Sequence, residues 1–152
     1  MLCPAFTLYG LHAKGEQNGV VKNYLTLWDE GWQGRSSRIL KAPITVVGER
    51  IEGAKSEFAK VRLTLNPAKT FEVEDRVEDK AELEQLNVGW PDSFILGMLD
   101  VLMNAEPDPL TEVRVTLEQV WYHDADSSRE AFRNAGRDAG RKTIAVIDRR
   151  RS

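Results

Sequence analysis

Apolar and polar residues alternate along the chain from Pro43 onward, which is the pattern of half-buried β-strands. Ile44–Val47 starts one predicted strand. Phe58–Leu65 forms the next, with apolar side chains at every second position. The short segment Glu52–Lys55 contains Gly53 and separates the two strands, so the pattern predicts a β-hairpin.

The next part of the chain predicts a short strand, a polar segment and a helix. Phe71–Val73 is the strand, and the acid-rich residues 74–86 are polar enough to form a surface helix or a loop. A helix is expected to start at Pro91, where Asp92 or Ser93 can cap the free amide groups. The helix has a broad apolar face that should be mostly buried. This face consists of Phe94, Ile95, Met98, Leu99, Leu102 and Met103.

A fourth strand and a second helix follow. Val113, Val115 and Leu117 alternate with polar residues, and Ser127–Glu130 has the spacing of a capping box at a helix start. One face of the second helix carries mostly small residues and can approach a sheet closely. These are Ala131, Phe132, Ala135, Gly136, Ala139 and Gly140. The order of elements predicts an α+β two-layer sandwich.

The length of 152 residues and the hydrophobic content of 41% are those of one globular domain with its own core. No apolar run is long enough to span a bilayer and no signal-peptide pattern precedes the domain, so we expect a cytoplasmic protein without a membrane partner. Cys3 is the single cysteine, which excludes an internal disulfide.

The first part of the chain has a different pattern. We interpret residues 1–42 as an N-terminal extension packed on a domain formed by residues 43–152. Gly10–Gly15 has the glycine spacing of a phosphate-binding loop, but Glu16 and Gln17 follow where that chemistry requires a lysine and a hydroxyl. No nucleotide partner is therefore expected.

The net charge of −3 is unevenly distributed, because residues 129–152 hold eight basic and three acidic side chains. Four arginines recur at every fourth position in this segment and are called the arginine row below: Arg129, Arg133, Arg137 and Arg141. Adjacent like charges oppose the helix by about 0.2–0.5 kcal/mol per pair unless an anion lies across them. We favour the acidic residues 72–86 as that anion over a nucleic-acid partner, because the whole chain is acidic.

His123 is the candidate for chemistry, but the residues around it do not complete a known site. With Asp124 and Asp126 it supplies too few ligands for a metal, and with Ser127 it lacks an orienting acid and an oxyanion site. The alternative is structural, with Asp126 and Ser127 capping the helix and His123 exposed in a loop. We therefore expect no enzyme activity, no metal and no cofactor.

The segment 122–132 resembles the tip loop of domain IV of elongation factor G, where a Tyr-His-acid-x-Asp-Ser-Ser-x-x-Ala-Phe sequence joins a strand to a helix. The resemblance extends over about residues 44–142 in three blocks. Arg50–Pro67 is similar to the family's tip hairpin and following strand, Val88–Pro91 to the start of its first long helix, and Pro109–Gly136 contains the tip loop.

The resemblance implies a βαβ fold like that of a ribosomal-protein domain, with the hairpin turn at Gly53 beside the loop of His123. Ala54, Ser56 and Ala59 stand where the family's hairpin carries glycines. The chain also has no guanine-reading Asn-Lys-x-Asp motif, so we expect a stand-alone relative without a GTPase domain.

The family implies the ribosome or RNA as partner, with an exposed imidazole contacting unpaired bases and basic side chains attracting phosphate. The alternative is a protein-interaction module that kept the fold and binds a protein partner or a second copy. The residues expected at the binding tip are Arg50, Gly53, Lys55, Tyr122, His123, Asp126 and Ser127.

Overall fold

A computed structural model describes residues 7–8, 37–55, 57–78, 89–123 and 125–151. The strands of these parts are β1 (Thr7–Leu8), β2 (Ile44–Glu52), β3 (Glu57–Pro67), β4 (Glu72–Asp75) and β5 (Val113–Tyr122). The helices are α1 (Trp90–Leu102) and α2 (Arg129–Arg151), and a short 3-10 helix at Gly53–Lys55 forms the hairpin turn. None of the described helices is long and apolar enough to cross a membrane.

The strands form one sheet in the order β1-β4-β5-β3-β2 within the described residues. β2 and β3 pair antiparallel from Ile44 opposite Leu65 to Glu52 opposite Glu57, which confirms the predicted hairpin. β3 and β5 are antiparallel, whereas β4 and β5 are parallel neighbours joined through α1. The α+β two-layer fold and its βαβ unit are therefore as predicted.

One face of the sheet is buried because its strands place every second side chain against the helices. Val61, Leu63 and Leu65 of β3 are fully buried, and so are Val115 and Leu117 of β5. The predicted apolar face of α1 is buried as well. Residues 79–86 of the predicted surface helix or loop lie outside the described residues, while Glu74 and Asp75 belong to β4.

The small residues of α2 allow close approach on two sides. Gly48 of β2 lies so near α2 that an added Cβ would be 2.5 Å from the Ala135 carbonyl oxygen. Gly136 faces α1, where an added Cβ would be 2.0 Å from the Phe94 carbonyl oxygen. The predicted small-residue face therefore packs on the neighbouring helix as well as on the sheet.

Both predicted helix caps need correction. α1 is capped by Gly89, whose left-handed backbone (φ 59°, ψ 44°) suits glycine, and no side chain caps the helix. Asp92 is instead buried, and neither of its carboxylate oxygens is hydrogen-bonded to a described residue. At α2 the cap is Ser128, whose hydroxyl accepts a hydrogen bond from the Ala131 amide at 3.1 Å, and Ser127 has another role.

The end of the predicted N-terminal extension is held against the domain. Arg38 is buried at 3% exposure and donates to the carbonyl oxygens of Glu106 (2.7 Å) and Asp108 (3.1 Å). Its guanidinium also forms an ion pair with Asp148 near the end of α2. Residues 9–36 lie outside the described residues, so the domain boundary at residue 42 stays a prediction.

Candidate functional site

The hairpin turn and the loop between β5 and α2 lie side by side at one end of the sheet, which we call the apex. The Phe58 amide, just after the turn, donates to the Asp126 carbonyl oxygen at 3.0 Å. Ala59 lies opposite Tyr122 in the β3–β5 ladder, so the two segments emerge from neighbouring strands. This juxtaposition is the one that the family resemblance predicted.

Ser127 fixes the geometry of the apex. Its hydroxyl donates to the Phe58 carbonyl oxygen at 2.7 Å and accepts from the His123 amide at 2.9 Å. The loop is closed further by the His123 carbonyl oxygen, which accepts from the amides of Asp126 (3.0 Å) and Ser127 (2.8 Å). A single buried hydroxyl thus connects the start of β3 to both ends of the loop.

Replacing Ser127 with alanine is expected to destabilise the protein by about 1–3 kcal/mol, because the His123 amide loses its acceptor and the Phe58 carbonyl oxygen loses its donor. Urea unfolding measures this loss, and amide exchange at His123 should accelerate because its acceptor is gone. Ser128→Ala is the comparison, with an expected loss of about 1 kcal/mol from the helix cap alone. A Ser127→Ala protein as stable as the wild type would show that this hydroxyl does not hold the loop.

The imidazole of His123 points into solvent. Its side chain is 61% exposed, and Nδ1 lies 3.6 Å from Oδ2 of Asp126, too far for a strong hydrogen bond. The ring centroid lies 6.4 Å from that of Phe58, with the planes tilted by 55°. The imidazole is therefore positioned by its neighbours but free to contact a partner.

The remaining predicted site residues differ in how far they are exposed or already paired within the protein. Arg50 forms an ion pair with Glu57 across the hairpin, and this hydrogen-bonded partner raises the pKa of the guanidinium further. Tyr122 is the last residue of β5 and packs partly against the core. Gly53 is exposed, and no described atom lies within 4 Å of an added Cβ. Lys55 ends the hairpin turn, but its side chain, like the whole of Asp124, lies outside what the structure describes.

The Ser127 hydroxyl is not arranged as a nucleophile. Its proton is directed to the Phe58 carbonyl oxygen, so the imidazole of His123 does not receive it. Among the described residues, no group of three or more His, Cys, Asp or Glu side chains is placed to hold a metal ion.

Comparison with protein families gives a match to elongation factor G, domain IV, over residues 45–146. The chain belongs to this family. A search of curated proteins gives no match. The domain IV region therefore covers about two thirds of the chain and includes both segments of the apex.

Solved structures show the same fold. A crystal structure of a protein from Thermus thermophilus superposes with a TM-score of 0.60 and 19% sequence identity. The match covers 86% of this chain but only 20% of that protein, so the chain spans about a fifth of that protein's length. At this identity the comparison establishes the domain IV fold and nothing about activity.

The domain IV fold also brings Lys60 and Trp121 together beside the apex, a pair that the sequence analysis missed. They lie opposite each other on β3 and β5, with Lys60 Nζ 4.9 Å from the centroid of the indole ring. The register shifts between Arg62 and Leu63, so simple alternation along β5 does not reveal that Trp121 shares a face with Lys60. The one sequence feature that could have indicated this pair is that Trp121 is an aromatic residue near the end of a strand.

Proposed function

We propose that this domain IV protein is a non-enzymatic, translation-factor-like module that binds the ribosome or RNA through its apex. The proposal is carried by one observation, the exposed His123 imidazole held beside the hairpin turn by the hydrogen bonds of Ser127. A preorganised loop can place a ring against an unpaired base without first losing conformational entropy. Membership of a translation-factor domain family supports the same partner.

The charge at the apex favours recognition by shape and stacking. Arg50 is paired with Glu57, and Asp126 places a second carboxylate near His123. A phosphate group would have to compete with Glu57 for Arg50 and would be repelled by Asp126. Ion pairs between the apex and phosphate should therefore contribute little of the affinity. Stacking of a base on an aromatic side chain contributes about 1–3 kcal/mol and tolerates such surroundings.

Cosedimentation with purified ribosomes tests the proposal. The wild-type protein should cosediment at low salt, and His123→Ala should weaken binding by about fivefold to a hundredfold, the effect of one lost stacking contact. Lys55→Glu, which reverses a charge in the hairpin turn, should also weaken binding.

Lys69→Glu is the matched control for the charge reversal. Lys69 is exposed just beyond the far end of β3, roughly 30 Å from the turn along the strand, and it should bind like the wild type. Absence of wild-type binding at low salt would remove this function and leave the protein-interaction alternative. Equal losses for Lys69→Glu and Lys55→Glu would show that the apex has no special part.

A further inference from the structure

The arginine row begins at the apex and runs away from it along α2. Arg129 is the first residue of the helix and follows directly after the loop that holds His123 and Ser127. Arg141 lies twelve positions after Arg129, which corresponds to a rise of about 18 Å along the helix. A molecule contacting the imidazole could therefore also reach the row.

Among the described residues, one carboxylate forms ion pairs with the two middle arginines of the row. Asp100 of α1 receives two hydrogen bonds from Arg133, at 2.9 and 3.0 Å, and one from Arg137 at 2.9 Å. Both arginine side chains stay more than one third exposed, at 37% and 40%. Both guanidinium groups therefore contact Asp100 while part of each side chain stays exposed at the helix surface.

Two acidic residues of the predicted counter-charge pair with other arginines. Glu72 pairs with Arg114 at 2.8 Å, and Glu74 pairs with Arg76. Both pairs lie on or beside β4, whereas Asp100 belongs to α1. The prediction that residues 72–86 neutralise the row thus fails for Glu72 and Glu74, and residues 79–88 lie outside the description.

The two ends of the row are exposed, and neither Arg129 nor Arg141 forms an ion pair with a described residue. Arg129 also stands in the first turn of α2, where the positive end of the helix dipole disfavours a cation. Residues that oppose local stability tend to mark functional surfaces. The position of Arg129 next to the apex agrees with such a role.

We infer that the arginine row binds the phosphate backbone of the RNA whose bases contact the apex, with Asp100 competing for Arg133 and Arg137. The inference rests on the proposed function and adds a second contact to it. Guanidinium groups suit this task because they remain charged and bind phosphate with two parallel hydrogen bonds. The apex would then supply base contacts, and the row would supply the salt-dependent part of the affinity.

The dependence of ribosome affinity on potassium chloride concentration separates the two contacts. Arg129→Gln and Arg141→Gln should each reduce the slope of log affinity against log salt by about 0.7–0.9, the value for one lost phosphate contact. His123→Ala should lower affinity with the slope unchanged. Asp100→Asn should act in the opposite direction and tighten binding by roughly twofold to fivefold, because a competitor for two arginines is lost.

Arg149→Gln is the matched control, since Arg149 is also exposed on the same helix but lies beside an open groove against β2. Its slope should equal that of the wild type. If the wild type binds and His123→Ala weakens it, but the Arg129 and Arg141 variants keep the wild-type slope, the row is not a phosphate site and the apex proposal stands. If Arg149→Gln lowers the slope as much as they do, the effect is one of net charge and the inference also fails. Absence of wild-type binding at low salt refutes both proposals.

Discussion

Gly136→Ala should destabilise the protein by about 3 kcal/mol or more, although alanine stabilises an ordinary helix by about 1 kcal/mol relative to glycine. The usual gain in stability becomes a loss here because Gly136 lies at the crossing of α1 and α2. An added Cβ would lie 2.0 Å from the Phe94 carbonyl oxygen and 3.0 Å from the Met98 nitrogen, and both atoms are helix backbone. The helices would have to separate, because neither group can rotate away.

Urea unfolding followed by circular dichroism measures this effect. Gly97→Ala tests the other side of the same crossing, since its Cβ would lie 2.0 Å from the Arg133 carbonyl oxygen. The double variant should lose less than the sum of the single losses, because one separation of the helices relieves both clashes. Gly53→Ala is the control, with nothing within 4 Å of the new atom, and should change stability by less than about 0.5 kcal/mol. A stabilised Gly136→Ala protein would contradict the packing described for this crossing.

The same glycines show what the sequence could reveal about the fold. A small-residue face on α2 is visible as a pattern, because its residues recur at helical spacing. The pattern does not say which element fills the groove, and here Gly136 meets α1 while Ala135 and Ala139 meet β2. Periodicity defines a face, whereas the partner depends on contacts between distant parts of the chain.

Buried polar groups were the hardest features to predict. Arg38 lies in a segment without clear periodicity, and its acceptors are 68 and 70 residues away in sequence. Asp92 has the position of a helix-capping residue, yet the left-handed Gly89 is the cap at the start of α1. Local sequence rules place Asp92 near a helix start, but they do not determine whether its side chain faces water or the core.

The candidate site was predictable to a different extent. The hairpin and the loop follow from alternation and turn residues, but their proximity followed from the family resemblance, because no local rule places two turns together. The capping-box spacing correctly placed the start of α2, but it predicted Ser127 as the capping serine. Ser128 caps α2, whereas the Ser127 hydroxyl donates a hydrogen bond to the Phe58 carbonyl oxygen on the neighbouring strand.

The Asp92→Asn substitution should remove most of a pH dependence of stability that the wild-type protein shows between about pH 4 and pH 6. Asp92 is 6% exposed and neither carboxylate oxygen has a hydrogen-bond partner among the described residues, so burial raises its pKa to about 6 from 3.8. Its location in the first turn of α1 favours the charged form, but the loss of hydration outweighs this effect.

The direction follows from proton binding in the two states. Between the two pKa values the folded protein retains a proton that the unfolded chain has released, so stability falls as pH rises through this range. A shift of about two pKa units corresponds to roughly 3 kcal/mol, an upper value for the loss at neutral pH. Asparagine has the same shape without the charge, so Asp92→Asn should match the wild type at about pH 4 and exceed it by roughly 2–3 kcal/mol at about pH 8.

Urea unfolding across this pH range, with Glu106→Gln as the control, tests the expectation. Glu106 is exposed, and Glu106→Gln removes one negative charge as Asp92→Asn does, so it controls for the change in net charge. If Asp92→Asn instead ran parallel to the wild type from acid to neutral pH, the carboxylate would have to be solvated or paired in the folded protein. The start of α1 would then be more open than the buried positions of Trp90 and Asp92 indicate.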